Sequence, residues 1–336
     1  MDRNKYLLLL FVTVLFFACS SQKSSIEEVF SVTANYASDE ALLKKNLIHI
    51  ASLEFNGRET GKPGQKKASQ YLANYYRDLG ILSPMENGNY FQEIPKEFFN
   101  KNTENGSENV LAYIEGTDFP EEILVISAHY DHLGNKDGQI YFGADDDASG
   151  TVAVMEIARL FQVAKKDGKG PKRSILFLHV TGEEIGLFGS KYYTSHPIFP
   201  LNKTVANLNI DMIGRIDKKH EKNPNYIYLI GSDKLSTELH DLSEQVNQTT
   251  EKLDLDYTFN SEKDPNRFYY RSDHYNFAKN KIPVIFYFNG THEDYHKPTD
   301  TADKINYELL TKRTNLIFYT AWEIVNKEGR IALNTN

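Results

Sequence analysis

Cysteine is all but missing: the 336-residue chain has one, Cys19. A single cysteine excludes an intrachain disulfide and a thiolate metal cluster, so any metal must be held by nitrogen and oxygen. Basic charge is also scarce. Thirty-eight Lys and Arg face 46 Asp and Glu, a formal charge of −8. That balance argues against a nucleic-acid partner, which requires a basic face. The longest apolar run falls short of the roughly 20 residues that cross a bilayer as a helix. What remains is ordinary for a packed core, 40% apolar and 12% aromatic.

That run, Tyr6–Ala18, follows Arg3 and Lys5 and has the length of a signal-peptide core. Ala18-Cys19 resembles a bacterial lipobox, with Cys19 the lipidated residue after cleavage. Residues 1–18 are therefore expected to be a signal peptide, 19–38 a tether and 39–336 the folded domain. Export would place the protein in the periplasm or at the cell surface, in contact with a membrane only through a lipid anchor at Cys19.

Beyond the tether, strands and helices alternate. Helices are expected over 41–54, 65–79, 149–161, 237–247, 275–279 and 307–325. Strands are expected over 90–94, 109–115, 123–130, 174–181, 205–212, 226–231 and 284–288. Residues 96–108 and 252–266 are polar and expected to be irregular. Apolar strands separated by helices predict a single α/β domain, with a mixed, mostly parallel central sheet and helices on both faces.

In such sheets, ligands sit beyond the carboxyl ends of the strands. His129 and Asp131 follow one strand, and Asp146 lies in the next loop. Glu183 and Glu184 follow Thr181, Asp211 interrupts an apolar run, and Tyr295 and His296 come after the last strand. Two imidazoles and several carboxylates at one edge suit zinc, which takes such ligands tetrahedrally. A pair of ions needs a bridging carboxylate and two end ligands each. His129 with Asp211, Glu184 with His296, and Asp146 between them meet that need. Glu183 is then left for proton transfer. For His49, His132, His179, His196, His220 and His240 the expected role is ordinary packing or solvation.

Five segments carry a resemblance: Ala128-His129-Tyr130-Asp131-His132, Gly143 to Gly150, Thr181-Gly182-Glu183-Glu184, Asn209-Ile210-Asp211-Met212 and Tyr295 to Asp300. In this order they closely resemble metallopeptidase family 28, the co-catalytic di-zinc aminopeptidases, which also includes glutamate carboxypeptidase-like enzymes. The likeness runs from about Leu47 to Leu310, and Gly57-Arg58-Glu59-Thr60-Gly61 is similar to the family's N-terminal part. It implies two zinc ions, the ligand set above, peptide substrates, and Glu183 as general base and then acid. It further implies Asp131 as the partner of His129, Tyr295 as the hydroxyl that stabilises the oxyanion, and a cis Asp146–Asp147 bond. Asp145 and Asp147 become structural.

The chain departs from the family pattern twice. Residues 91–116 are too few for a protease-associated insert, and 216–273 form a long segment of this chain's own, rich in Tyr and Phe. His274 and His292 are the alternatives to His296. Two rivals share the fold: a single-zinc glutaminyl cyclase, whose family has Asp-Ser-Ala where this chain has Asp146-Asp147-Ala148, and a non-catalytic binding protein.

Overall fold

The structure is a computed structural model that describes residues 35–335. The proposed signal segment, Cys19 and most of the tether lie outside them. From Ser38 onward the described residues form one compact unit. Among the described residues, no helix is long and apolar enough to cross a membrane.

Helix α1 (Glu40–Ile50) starts where the Asp39 carboxylate accepts from the Leu42 N–H. Helix α2 (Pro63–Leu79) has Pro in its first turn and closes on Gly80 in the left-handed region. Then come β1 (Phe91–Ile94), β2 (Ser107–Ile114), β3 (Phe119–His129) and a small hairpin, β4 (Asn135–Lys136) with β5 (Gln139–Ile140). Next are α3 (Gly150–Lys166), β6 (Arg173–Val180), α4 (Phe188–Ser195), β7 (Thr204–Ile210) and β8 (Tyr226–Ile230). The chain ends with α5 (Thr237–Thr249), β9 (Asp254–Asp256), α6 (His274–Ala278), β10 (Val284–Phe288) and α7 (Tyr307–Asn326).

The main sheet has eight strands in the order β1-β2-β6-β3-β7-β10-β8-β9. Its centre, β6-β3-β7-β10, is parallel throughout, while β1, β2 and β8 pair antiparallel. Side chains alternate between its faces. Val125, Leu176, Leu178 and Val284 pack with Tyr193 of α4 and Phe277 of α6. Helices α3 and α7 pack against each other, with Phe161 5.0 Å from Phe318. Because both faces are covered, the central strands read as continuous apolar runs.

Two stretches expected to be irregular are mostly so, but each holds a short regular piece. Within 96–108, a turn at Lys96–Phe99 buries Phe99 against Phe188 at 5.4 Å, and β2 begins at Ser107. Ser107 and Glu108 look loop-like because they are polar, yet both are buried and satisfied: Ser107 Oγ bonds Gln65, and Glu108 accepts from Ser69 and Lys66. Within 252–266, β9 adds an edge strand parallel to β8. It holds only three residues with Asp at both ends, a pattern that suits an edge and hides its strand character.

Candidate metal centre

Parallel register brings the ends of four strands together. His129 lies opposite Val180, so the turn holding Glu183 and Glu184 begins beside it. The Asp211 N–H bonds the Tyr287 carbonyl, which aligns Asp211 with the end of β10. The fourth contribution enters at the start of α3. There Gly150 lets the helix approach β7 closely, since a Cβ would fall 2.6 Å from the Ile210 carbonyl and 2.5 Å from both Asp147 carboxylate oxygens.

The side chains form two groups that share one carboxylate. His129 Nε2 is 3.2 Å from Asp146 Oδ1 and 3.5 Å from Asp211 Oδ1. His296 Nε2 is 3.0 Å from Asp146 Oδ2 and 3.2 Å from Glu184 Oε2. Donors at zinc bond lengths on a tetrahedron lie roughly 3.3–3.6 Å apart. The observed separations are at or slightly below that spacing, His129, Asp146 and Asp211 lie close enough together to hold one ion, and Asp146 turns a different oxygen to each set. The buried His129 Nε2 and Asp146 Oδ2 have no hydrogen-bond partner. Buried polar atoms are rarely left so, and a cation between the donors would satisfy both. The donor set, imidazole and carboxylate without sulfur, suits zinc.

The field points the same way. Burial alone would lower the His129 pKa, but Asp211, Glu183, Asp131 and Asp146 outweigh it and hold the imidazole well above its usual range. Burial opposes ionisation of Asp146, yet His129, His296 and His132 hold its carboxyl well below the ordinary range. Burial dominates at Glu183, with Asp211 and Glu184 adding to it against His129, and raises its carboxyl well above normal. Positive charge stabilises this cluster, and a divalent ion is a stronger source of it than a shared proton.

A surrounding layer fixes the donors. The Asp131 backbone carbonyl lies 3.1 Å from His129 Nδ1, whereas its carboxylate is 3.7 Å away. That carboxylate instead accepts from Thr60 Oγ1 at 2.8 Å and from the Glu183 N–H at 3.2 Å. Asp131 therefore ties His129 to the Glu183 turn as well as orienting the ring. Asp300 accepts the Asp145 and Asp146 N–H groups. Asp145 accepts from the Gly214 N–H, and Asp147 from those of Gly150 and Met212. The Asp146–Asp147 peptide bond is cis. His292 lies 3.1 Å from Asp145 and in neither donor group, while His274 is buried against Phe286. The Tyr295 ring stacks on His296 at 3.9 Å.

Reasoning from the sequence missed three contributors. His132, expected to be ordinary packing, has Nδ1 2.7 Å from Glu184 Oε1. His132, Asp146 and Glu184 together form a group that could hold an ion, but 2.7 Å is short for two ligands of one ion and fits a hydrogen bond between ring and carboxylate. The signal was its position three residues after His129 in the same segment. Ser272 donates to Asp211 Oδ2 at 2.6 Å and receives from Asn209; nothing in its neighbours marks it. Arg58 is fully buried and donates to the carbonyls of Ile50, Tyr130, Phe142 and Gly143. One guanidinium thus joins the His129–Asp131 segment to the Asp triplet. Gly57, at φ +73°, lets the same loop press on the Gly134 carbonyl.

The sequence model of Peptidase family M28 matches residues 109–321. Aminopeptidase YwaD of Bacillus subtilis (strain 168) is 26% identical over 62% of this chain and 42% of its own length. The chain spans less than half the length of the curated relatives it matches. Among solved structures, Legionella pneumophila LapA aminopeptidase has a TM-score of 0.68 at 23% identity, covering 90% of this chain and 75% of that one. Porphyromonas gingivalis glutaminyl cyclase has 0.65 at 17%, covering 85% and 98%. The structural likenesses establish the fold; they do not separate hydrolysis from transfer.

Proposed function

Since the chain belongs to peptidase family M28, we propose that it is a zinc-dependent exopeptidase that removes N-terminal residues from peptides. The observation that carries this is Asp146, whose two oxygens face two separate donor groups while Glu183 belongs to neither. His129 and Asp211 would hold one ion, Glu184 and His296 a second, and Asp146 both. Bound zinc would polarise the scissile carbonyl and supply a water nucleophile near neutral pH.

This chain's own residues do the rest. Glu183 takes the water proton and passes it to the leaving amine. Asp131 holds the Glu183 backbone, so the base keeps its place relative to His129. The Tyr295 hydroxyl, on the wall of the same cavity, donates to the developing oxyanion. Met212, Phe268, Phe286 and Phe288 form the apolar part of that cavity's wall, beside the charged groups.

A screen of zinc-loaded protein against free-amine and N-blocked peptides tests the reading. Cleavage confined to free amines is expected, and equal cleavage of blocked peptides would overturn the aminopeptidase assignment. Two zinc equivalents per chain are expected; one equivalent with cyclisation of N-terminal Gln would replace it with the cyclase. Export with a lipid on Cys19 is part of the proposal, and incorporation of labelled palmitate that fails in Cys19→Ala tests it.

A further inference from the structure

Arg271 stands apart from the other charged groups of the catalytic cavity. Asp146, Glu183 and Asp211 on its wall are engaged by the proposed cations or by proton transfer. Arg271 lines the same cavity, and its side chain is exposed. Its guanidinium lies 3.4 Å from Tyr295 Oη and over the Phe268 ring at 4.9 Å. Among the described residues no carboxylate pairs with it. Other arginines are committed: Arg215 to Asp294, Arg173 to Glu122, Arg58 to four carbonyls.

Both contacts pre-position the fork. The Phe268 face lies under the guanidinium, and Phe268 is itself packed with Phe286 and Phe288 in a buried aromatic cluster. A planar guanidinium with open N–H groups, held over an aromatic face, can take a carboxylate in two parallel hydrogen bonds. Beside it, on the wall of the same cavity, lies Tyr295, the side chain proposed to stabilise the oxyanion of the scissile carbonyl. A group bound to Arg271 therefore belongs to a residue flanking the cut bond, not to a distant part of the peptide.

We infer that Arg271 selects substrates that carry a carboxylate next to the scissile bond, on an acidic N-terminal side chain or at the C-terminus of a dipeptide. This rests on the exopeptidase reading and narrows it to anionic short peptides. Hydrogen bonds to charged groups of this kind correspond to a preference of roughly 10- to 100-fold.

Four substrates separate the two sources: Glu-Ala-amide against Gln-Ala-amide, and Ala-Ala against Ala-Ala-amide. With zinc-loaded wild type, one anionic member is expected to exceed its neutral partner by roughly 10- to 100-fold in kcat/KM, expressed in KM. Arg271→Met should collapse that ratio to near one, and Arg271→Lys should restore part of it. Equal rates within both pairs would overturn the inference. So would a uniform fall in kcat for all four with Arg271→Met, which would place Arg271 behind the Tyr295 hydroxyl instead. Calorimetry of the same peptides with zinc-loaded Glu183→Gln reads binding without turnover. Discrimination there, lost on adding Arg271→Met, upholds the inference even if wild type cuts none of the four, a result that would instead sink the exopeptidase reading. Equal binding within both pairs overturns it.

Discussion

His129 and His179 lie on adjacent strands, both fully buried, with Ala128 opposite His179 in the register. His129 is held well above its usual pKa by Asp211, Glu183 and its other acidic neighbours despite burial. Burial pushes His179 down to about 3, and its Nε2 bonds the Tyr76 hydroxyl at 2.6 Å. The backbones are alike, and so is the depth. The difference is what other strands and loops bring to each ring: four carboxylates to one, a phenol to the other. A buried histidine is a candidate ligand only by virtue of its distant neighbours.

The largest expected effect tests the carboxylate near His129 that neither donor group uses. Glu183→Gln should lower kcat by about 10³-fold while zinc content, measured by mass spectrometry, stays the same. Loss of zinc along with activity would make Glu183 a ligand. Next comes the contrast itself. His129→Gln should remove one zinc equivalent and its stabilisation of the fold, whereas His179→Gln should keep both. Zinc loss on changing His179 would break the comparison.

Acid stability follows from the sign at His179. Its folded pKa lies below the unfolded value, so the unfolded chain binds the extra proton. Stability is complete above about pH 6.5 and is lost as pH falls toward about 3. The expected loss between pH 8 and pH 5 is about 2 kcal/mol in urea melts, and smaller by that amount in His179→Gln. The mildest effects belong to the supports. Ser272→Ala and His132→Phe should each weaken zinc binding about tenfold in competition with a chelator, the first through Asp211 and the second through Glu184. Restoration by Ser272→Thr would assign the effect to the hydroxyl.

The central sheet was plain in the sequence because strands buried on both faces must be apolar throughout. Edge strand β1 was legible too, whereas the first two residues of β2, polar but with buried partners, and the three-residue β9 were not. The residues that the structure gathers at the strand ends could be picked out, since a charge at the end of an apolar run has few other reasons to be there. The supports escaped notice. Ser272 and Arg58 act through contacts with residues 61 and 72 positions away, and no local pattern announces such a contact. His132 escaped for the opposite reason: it sits so near His129 that its contact with Glu184 shows only in the fold.

Arg58 carries one more consequence. Every proposed donor lies within residues 109–321, the stretch that marks the family. The clasp that sets their spacing, Arg58 with Thr60, lies well before it. A chain cut back to the marked stretch would keep all its chemistry and lose its alignment. A graft of this centre into another scaffold should begin from the clasp and add the donors second.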